Sequence, residues 1–320
     1  MKNKQQPTDR TALLADISEM YFIEGKNQNE IAKRVGMTRS NVSRLLKEAR
    51  QSGIVEIQVN HPLKENNSLH REMVDRFNLI DAHIIQVDQA SQLLPKLGKV
   101  AAQVLMEYLD TGVVLGTTWG TAISATVDQL EITKKIPEIK VVQLIGALGS
   151  RIEGYDGHSI VRRLEELLDA EGIYMNAPFF VDDANTAELL LETASIKENI
   201  NLAKQADIAL LGVGSLDLSQ CSFYLAGYVP KQEILEIQKT GAIGDVCGRF
   251  FNINGELTAM AYQNQLIGIT IDDLKKIPVR IGVAGGEAKV DPIIGALRGN
   301  LVNILITDTE TALEVLKRTT

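Results

Sequence analysis

Hydrophobic positions follow two different patterns along the 320 residues of this chain. Between Asn27 and Gly53 they keep helical spacing: Ile31 and Val35 lie four apart, and Val42, Leu45 and Leu46 share a face of the following segment. Gly36 falls between the two, where a helix has to end sharply, and Thr38 is placed to cap the next one. Upstream, Leu13, Leu14, Ile17, Met20 and Tyr21 recur at helical spacing and predict a third helix to close a small core. Helix, glycine turn and capped helix form the helix-turn-helix arrangement. Next come "IVEIQVN", read as a short strand, and "LKENNSLHREMVDRFNL". In the latter, Leu69, Met73 and Phe77 at four-residue spacing predict a polar linker helix.

From Leu79 the pattern changes. "DAHIIQV", "GVVLGT", "IKVVQLIGAL", "ADIALLGVG", "VRIGVAGG" and "VNILITD" are short, continuous Val/Ile/Leu runs, several ending in glycine and leading into amphipathic segments. Such runs alternating with helices predict a mostly parallel sheet buried on both faces, with ligands at the carboxyl ends of its strands. Gly116, Gly146, Gly149, Gly212, Gly214, Gly282, Gly285 and Gly286 gather at those ends. They fit neither the G-x-G-x-x-G fingerprint with its later acid nor the phosphate loop GxxxxGK[ST], so a nicotinamide or nucleoside triphosphate is not expected. The expected class is therefore α/β. Residues 1–60 form a helix-turn-helix domain, 61–78 a linker helix, and 79–320 a ligand-binding and oligomerisation domain.

Charge sharpens this division. The first 60 residues carry ten Lys/Arg against seven Asp/Glu, while the remainder carries 23 against 34. A basic head on an acidic body points to the head as the part that meets a polyanion. The second helix of the pair turns Arg39, Ser40, Ser43, Arg44 and Lys47 outward. Arg39, Ser40, Ser43 and Arg44 are candidates for reading base edges of double-stranded DNA, and Lys33, Lys47 and Arg50 for phosphate contacts. No apolar run reaches the ~18 residues of a membrane span. No apolar segment follows the charged N-terminus, and the two cysteines, Cys221 and Cys247, form no metal or disulfide pattern. A cytoplasmic protein without metal or cofactor is expected.

In the body, "VLGTTWGTAISA" is read as a strand that breaks at Gly116-Thr117-Thr118 and enters a helix, whose start favours an anion. "GVAGGEAKVDP" offers Gly285 and Gly286 for close approach and Lys289 as a cation. Asp245, in "GAIGDVCGRFF", is placed either to accept hydrogen bonds from sugar hydroxyls or to cap a turn. His158 is either a ligand contact or a surface histidine, and Trp119 a core or pocket-wall residue. Gly146 and Ala147, at the end of "QLIGA", complete the candidate set.

"NEIAKRVGMTRSNVSRLLKEARQSGIVEIQV", "GTTWGTA", "GAIGDVCGRFF" and "IPVRIGVAGGEAKVDPIIGALRG" together resemble the SorC family of sugar-responsive bacterial transcriptional regulators, over essentially the whole chain. The resemblance implies a Rossmann-like body of the sugar isomerase/CoA-transferase type that binds a sugar phosphate without turning it over. It also implies a homotetramer on palindromic or repeated operators. By resemblance, Thr117, Thr118 and Lys289 hold the phosphate, and Asp245 and His158 contact sugar hydroxyls. Where some relatives carry a lysine or arginine, this chain has Ile145, so a covalent imine there is not expected. The alternative is a catalytically active sugar-phosphate isomerase or deaminase with a DNA-binding appendage, and Asp245 with His158 is its only nominable acid–base pair.

Overall fold

A computed structural model of the chain describes residues 7–55, 67–147, 156–225 and 227–320. The strand expected at "IVEIQVN" beyond Val55, and Gly149, lie outside the described residues. The chain divides into two compact units, Met1–Pro62 and Leu63–Thr320.

The first unit is three helices, α1 (Pro7–Phe22), α2 (Gln28–Arg34) and α3 (Arg39–Gln51). Its core is Leu14, Ile17, Met20, Ile31, Ala32, Val42, Leu45, Leu46 and Ala49, of which the spacing marks all but the two alanines; Leu13, Tyr21 and Val35 pack against it partly buried. Both helices of the pair begin on side-chain caps. Asn27 accepts from the Glu30 amide, and Glu30 reaches back to the Asn27 N–H; Thr38 Oγ1 accepts from the Asn41 amide at 3.2 Å. Gly36 turns between them at φ +65°, with open space where a side chain would stand. Its backbone conformation is therefore what favours glycine there.

The second unit begins with α4 (Asn67–Phe77) and β1 (Asp81–Ile85). α4, the helix assigned above to the link, contributes Leu69 and Met73 to this unit's core, and Arg76 donates to the Leu316 carbonyl at 2.6 Å. The chain continues through α5 (Leu93–Tyr108), β2 (Val114–Thr117), α6 (Thr121–Asp128), β3 (Lys140–Gln143), α7 (Gly157–Leu168), β4 (Glu171–Ile173), α8 (Ala184–Leu191), α9 (Ala194–Ala203) and β5 (Ile208–Gly212). A small excursion follows: β6 (Gly214–Ser215), α10 (Ser222–Leu225), α11 (Lys231–Lys239), β7 (Gly244–Val246), β8 (Arg249–Phe251), α12 (Met260–Gln263) and α13 (Ile271–Leu274). The last elements are β9 (Val279–Val283), α14 (Val290–Arg298), β10 (Ile304–Asp308) and α15 (Thr309–Arg318).

Seven strands form one sheet in the order β1-β10-β9-β5-β2-β3-β4, and every described pairing in it is parallel. Its central strands are apolar on both faces, as continuous Val/Ile/Leu runs require. β5 is buried from Ile208 to Leu211 and β10 along its whole length. From β2 the chain moves outward through β3 to β4, then returns on the other side as β5, so the order reverses between β2 and β5. A parallel sheet opens a crevice at such a point. The second sheet, β6-β7-β8, is antiparallel, and its residues Gly214 and Asp245 pair directly.

Replacing Thr38 with alanine removes the cap of α3 and is expected to destabilise the first unit by about 1 kcal/mol. Amide exchange along α3 should then quicken about fivefold; unchanged protection would show that the cap does not hold the helix start.

Candidate functional site

Two surfaces carry the expected chemistry, one in each unit. On α3, Arg39, Ser40, Ser43, Arg44 and Lys47 are all exposed, as is Lys33 on α2. The buried Val42, Leu45 and Leu46 hold the opposite face against α1 and α2. Arg10 binds both carboxylate oxygens of Glu48 at 2.7 Å, tying α1 to α3 without using an outward base-reading candidate. Arg50, proposed above for a phosphate, lies 5.3 Å over the Phe22 ring.

In the second unit a pocket of about 280 Å³ opens at the carboxyl ends of β2, β5 and β9. It lies where the strand order reverses. Thr118, Asp245 and Lys289, far apart in sequence, all line it. Thr118 follows β2 and is 4% exposed. Next comes Gly120 at φ +137°, which brings the chain into α6 without a side-chain cap. The first amides of α6 therefore have neither intrahelical nor side-chain partners, and they lie at a pocket lined by Gly120, Thr121 and Ala122. The 3₁₀ turn Glu287–Lys289, which leads into α14, also starts without a side-chain cap. Side-chain caps start α2, α3, α7, α8, α13 and α15, while α5, α9, α11 and α12 also begin without one.

Asp245 is placed by a two-residue hairpin. Val246 pairs with Arg249, and the intervening Cys247 and Gly248 both have positive φ, +52° and +72°, the signature of a type I′ turn. The Gly248 amide donates to Asp245 Oδ2 at 3.2 Å. A Cβ at Gly214 would stand 1.8 Å from Asp245 Oδ1, so the carboxylate fits only because that position is glycine. Behind the hairpin, the buried Arg249 guanidinium donates to the carbonyls of Ile269, Gln263 and Gly268. Burial pushes the Asp245 carboxyl up to about 6, against the opposing pull of Lys289 and the Gly248 amide. Burial lowers the Lys289 ammonium, which Asp245 partly offsets. The Cys247 thiol, buried in the same wall, is raised to about 12.

Gly116, Thr117, Gly146, Ala147 and His158 are not in the pocket lining. Thr117 is fully buried and its hydroxyl donates to the Thr118 carbonyl at 3.2 Å. A Cβ at Gly116 would meet Leu144 at 2.6 Å, so this glycine serves strand packing. Gly146 is pressed against Pro178, and its amide donates to the Ile267 carbonyl; the Ala147 amide donates to Ala177. His158 sits in the first turn of α7, with Nε2 toward the Met175 carbonyl at 3.2 Å and its ring against Tyr174. The structure thus does not bring His158 and Asp245 together. Gly286 lines the pocket, but its amide already donates to Asp308 Oδ2 and Thr311 Oγ1, at 2.9 and 2.7 Å. Trp119 packs edge-to-face on Phe179 and Phe223 and also lines the pocket, as does Ile145 at the position of the expected imine loss. Sequence reasoning missed Leu93 and Leu97 of α5, Gln220 in the turn before α10, Ser222 at the start of α10, and Cys247 as a wall residue. Only Cys247 had a local signal, the two-residue "CG" between apolar runs.

Among the described residues, no cluster of three His, Cys, Asp or Glu side chains is placed to hold a metal ion, and no helix is long and apolar enough to cross a membrane. The sugar-binding domain family model matches residues 61–317, and the model of sigma-70 region 4 matches residues 15–52. The chain is 33% identical to the transcriptional regulator LsrR of Enterobacter sp. (strain 638) over 306 residues, covering 95% of this chain and 92% of that one. It is 30% identical to the deoxyribonucleoside regulator of Bacillus subtilis (strain 168), covering 95% and 97%. The full-length sorbitol operon regulator SorC of Klebsiella pneumoniae matches with a TM-score of 0.72 and 27% identity, over 96% of this chain and 99% of that one. The family models and relatives together define a sugar-responsive, DNA-binding transcription regulator. The chain belongs to the SorC family of such regulators.

Asp245 binds its proton more tightly in the fold than in the unfolded chain, so its contribution to stability falls as pH rises from about 4 to about 6. Asp245→Asn should therefore match the native chain near pH 4 and gain on it by pH 7, read by denaturant melts at the two pH values. An equal difference at both would show that Asp245 is not held in this way.

Proposed function

We propose that the pocket binds a phosphorylated sugar, and that its occupancy sets the affinity of the first unit for operator DNA. The carrying observation is the convergence of Thr118, the uncapped start of α6 and Lys289 on one pocket that also holds Asp245. A helix start and a lysine favour a phosphate, and a hydroxyl group can complete its coordination. Asp245 beside them suits a sugar hydroxyl as donor. Ile145 in the wall leaves no amine at that position for an imine. On this reading the pocket senses rather than converts: its carboxylate lacks the histidine partner that acid–base turnover would need. Turnover of ribose, fructose or glucosamine phosphates by the purified protein would restore the enzymatic alternative.

On the DNA side, Arg39, Ser40, Ser43 and Arg44 read base edges in the major groove, while Lys33 and Lys47 contact phosphates. A homotetramer in the cytoplasm would present several such units to a repeated operator. The effector can shift DNA affinity only by the difference in its own affinity for the two states of the assembly.

In a thermal-shift screen, phosphorylated sugars should raise the melting temperature and their unphosphorylated counterparts should not. Thr118→Val and Lys289→Met should each weaken the responding sugar phosphate about tenfold or more, as expected for hydrogen bonds to a charged group. Equal protection by free sugars would contradict the phosphate reading. For DNA, Arg44→Ala should reduce discrimination between a selected duplex and random sequence. Lys47→Ala should weaken both alike and lower the salt slope by about one, measured by fluorescence anisotropy.

A further inference from the structure

The proposed phosphate cradle accounts for one part of the pocket; the polar side chains of the turn before α10 and of the first residue of α10 are unassigned. Gln220 and Ser222 both line the pocket. Among the described residues, neither side chain makes a hydrogen bond or an ion pair within the protein. The turn that carries them is firmly built. The Asp217 carboxylate accepts from the Ser219 amide at 2.8 Å and hydroxyl at 2.6 Å, and the Asp217 carbonyl accepts from the amides of Gln220 and Cys221 at 2.9 and 2.7 Å. Cys221 is fully buried, and its carbonyl accepts from the Leu225 amide at 2.9 Å in α10. Its thiol also feels the charges of both Asp245 and Lys289, so the turn lies beside the pair. One buried residue thus sits between two sequence neighbours that line the cavity, Ser222 half-buried and Gln220 exposed.

We propose that Gln220 and Ser222 are specificity-determining residues that bind the hydroxyls of the sugar, leaving its phosphate to Thr118, α6 and Lys289. The proposal rests on the sugar-phosphate reading above. An amide offers two donors and an acceptor, and a hydroxyl offers one donor and two acceptor lone pairs. With the Asp245 carboxylate they suit a polyol bearing several hydroxyls rather than a short phosphorylated acid. A rigid turn has already lost most of its conformational freedom, so contacts made from it cost little further ordering on binding.

Titration calorimetry with three probes tests this: inorganic phosphate, D-ribose 5-phosphate and D-fructose 6-phosphate. Ser222→Ala and Gln220→Leu should each weaken the better sugar phosphate about three- to tenfold and leave inorganic phosphate unchanged, as loss of one neutral hydrogen bond implies. The double variant should bring sugar phosphate down toward the affinity of inorganic phosphate. Native affinity for the sugar phosphates in both variants would overturn the proposal. A parallel loss for inorganic phosphate would also overturn it, since the turn would then be merely structural, as would a native protein with no preference for either sugar phosphate over phosphate. Lys289→Met is the separate control and should weaken all three probes. If it leaves inorganic phosphate binding intact, the phosphate assignment fails, while the Gln220 and Ser222 comparison on the sugar phosphates stands by itself.

Discussion

Lys289 is carried into the pocket with no carboxylate in ion-pair contact among the described residues, and burial already depresses its ammonium. A desolvated cation of this kind costs stability unless an anion meets it. Asp245 is the acid it senses, but Asp245 is itself buried and raised to about 6, so the two share the pocket without fully neutralising each other. The uncapped start of α6 at Gly120 adds positive potential on the same side. On the proposed reading, the phosphate of a sugar phosphate is the partner that these features have in common.

The fold exists to hold this arrangement. Reversal of strand order between β2 and β5 opens the crevice, and the chain returns to it as β9 and the turn before α14. Asp308 at the end of β10 caps α15 and accepts the Gly286 amide, which fixes the Gly285–Gly286 turn and with it the root of Lys289. On the other wall, the Cys247-Gly248 turn and the triply bonded Arg249 keep Asp245 in place. A pocket whose groups are fixed beforehand spends little binding energy on ordering. On the proposed reading, more is then left to favour one state of the protein over another.

Much of this could be read from the sequence, and the limits have physical reasons. The head was legible almost residue by residue, because spacing, caps and Gly36 act within a few positions of one another. The parallel sheet was legible too, since runs buried on both faces show no alternation. Thr118, Asp245 and Lys289 were marked by local chemistry at strand ends. Thr117 was not separable from Thr118 by type: successive strand residues face opposite ways, and one step decides which side chain enters the pocket. Gly116 and Gly146 look like ligand-approach glycines, yet Leu144 and Pro178 occupy the space beside them. Such contacts come from distant segments and leave no local trace. Gln220 and Ser222 escaped for the same reason, because their value depends on where α10 is anchored.

The account turns on where a ligand's phosphorus sits. A crystal structure of the protein with the sugar phosphate that most raises its melting temperature tests this directly. The expected result is a phosphate within hydrogen-bond distance of the Thr118 hydroxyl, the first amides of α6 and Lys289 Nζ, with sugar oxygens on Asp245. A ligand whose phosphate lies away from Lys289, or a tightly bound sugar carrying no anion at all, would contradict it.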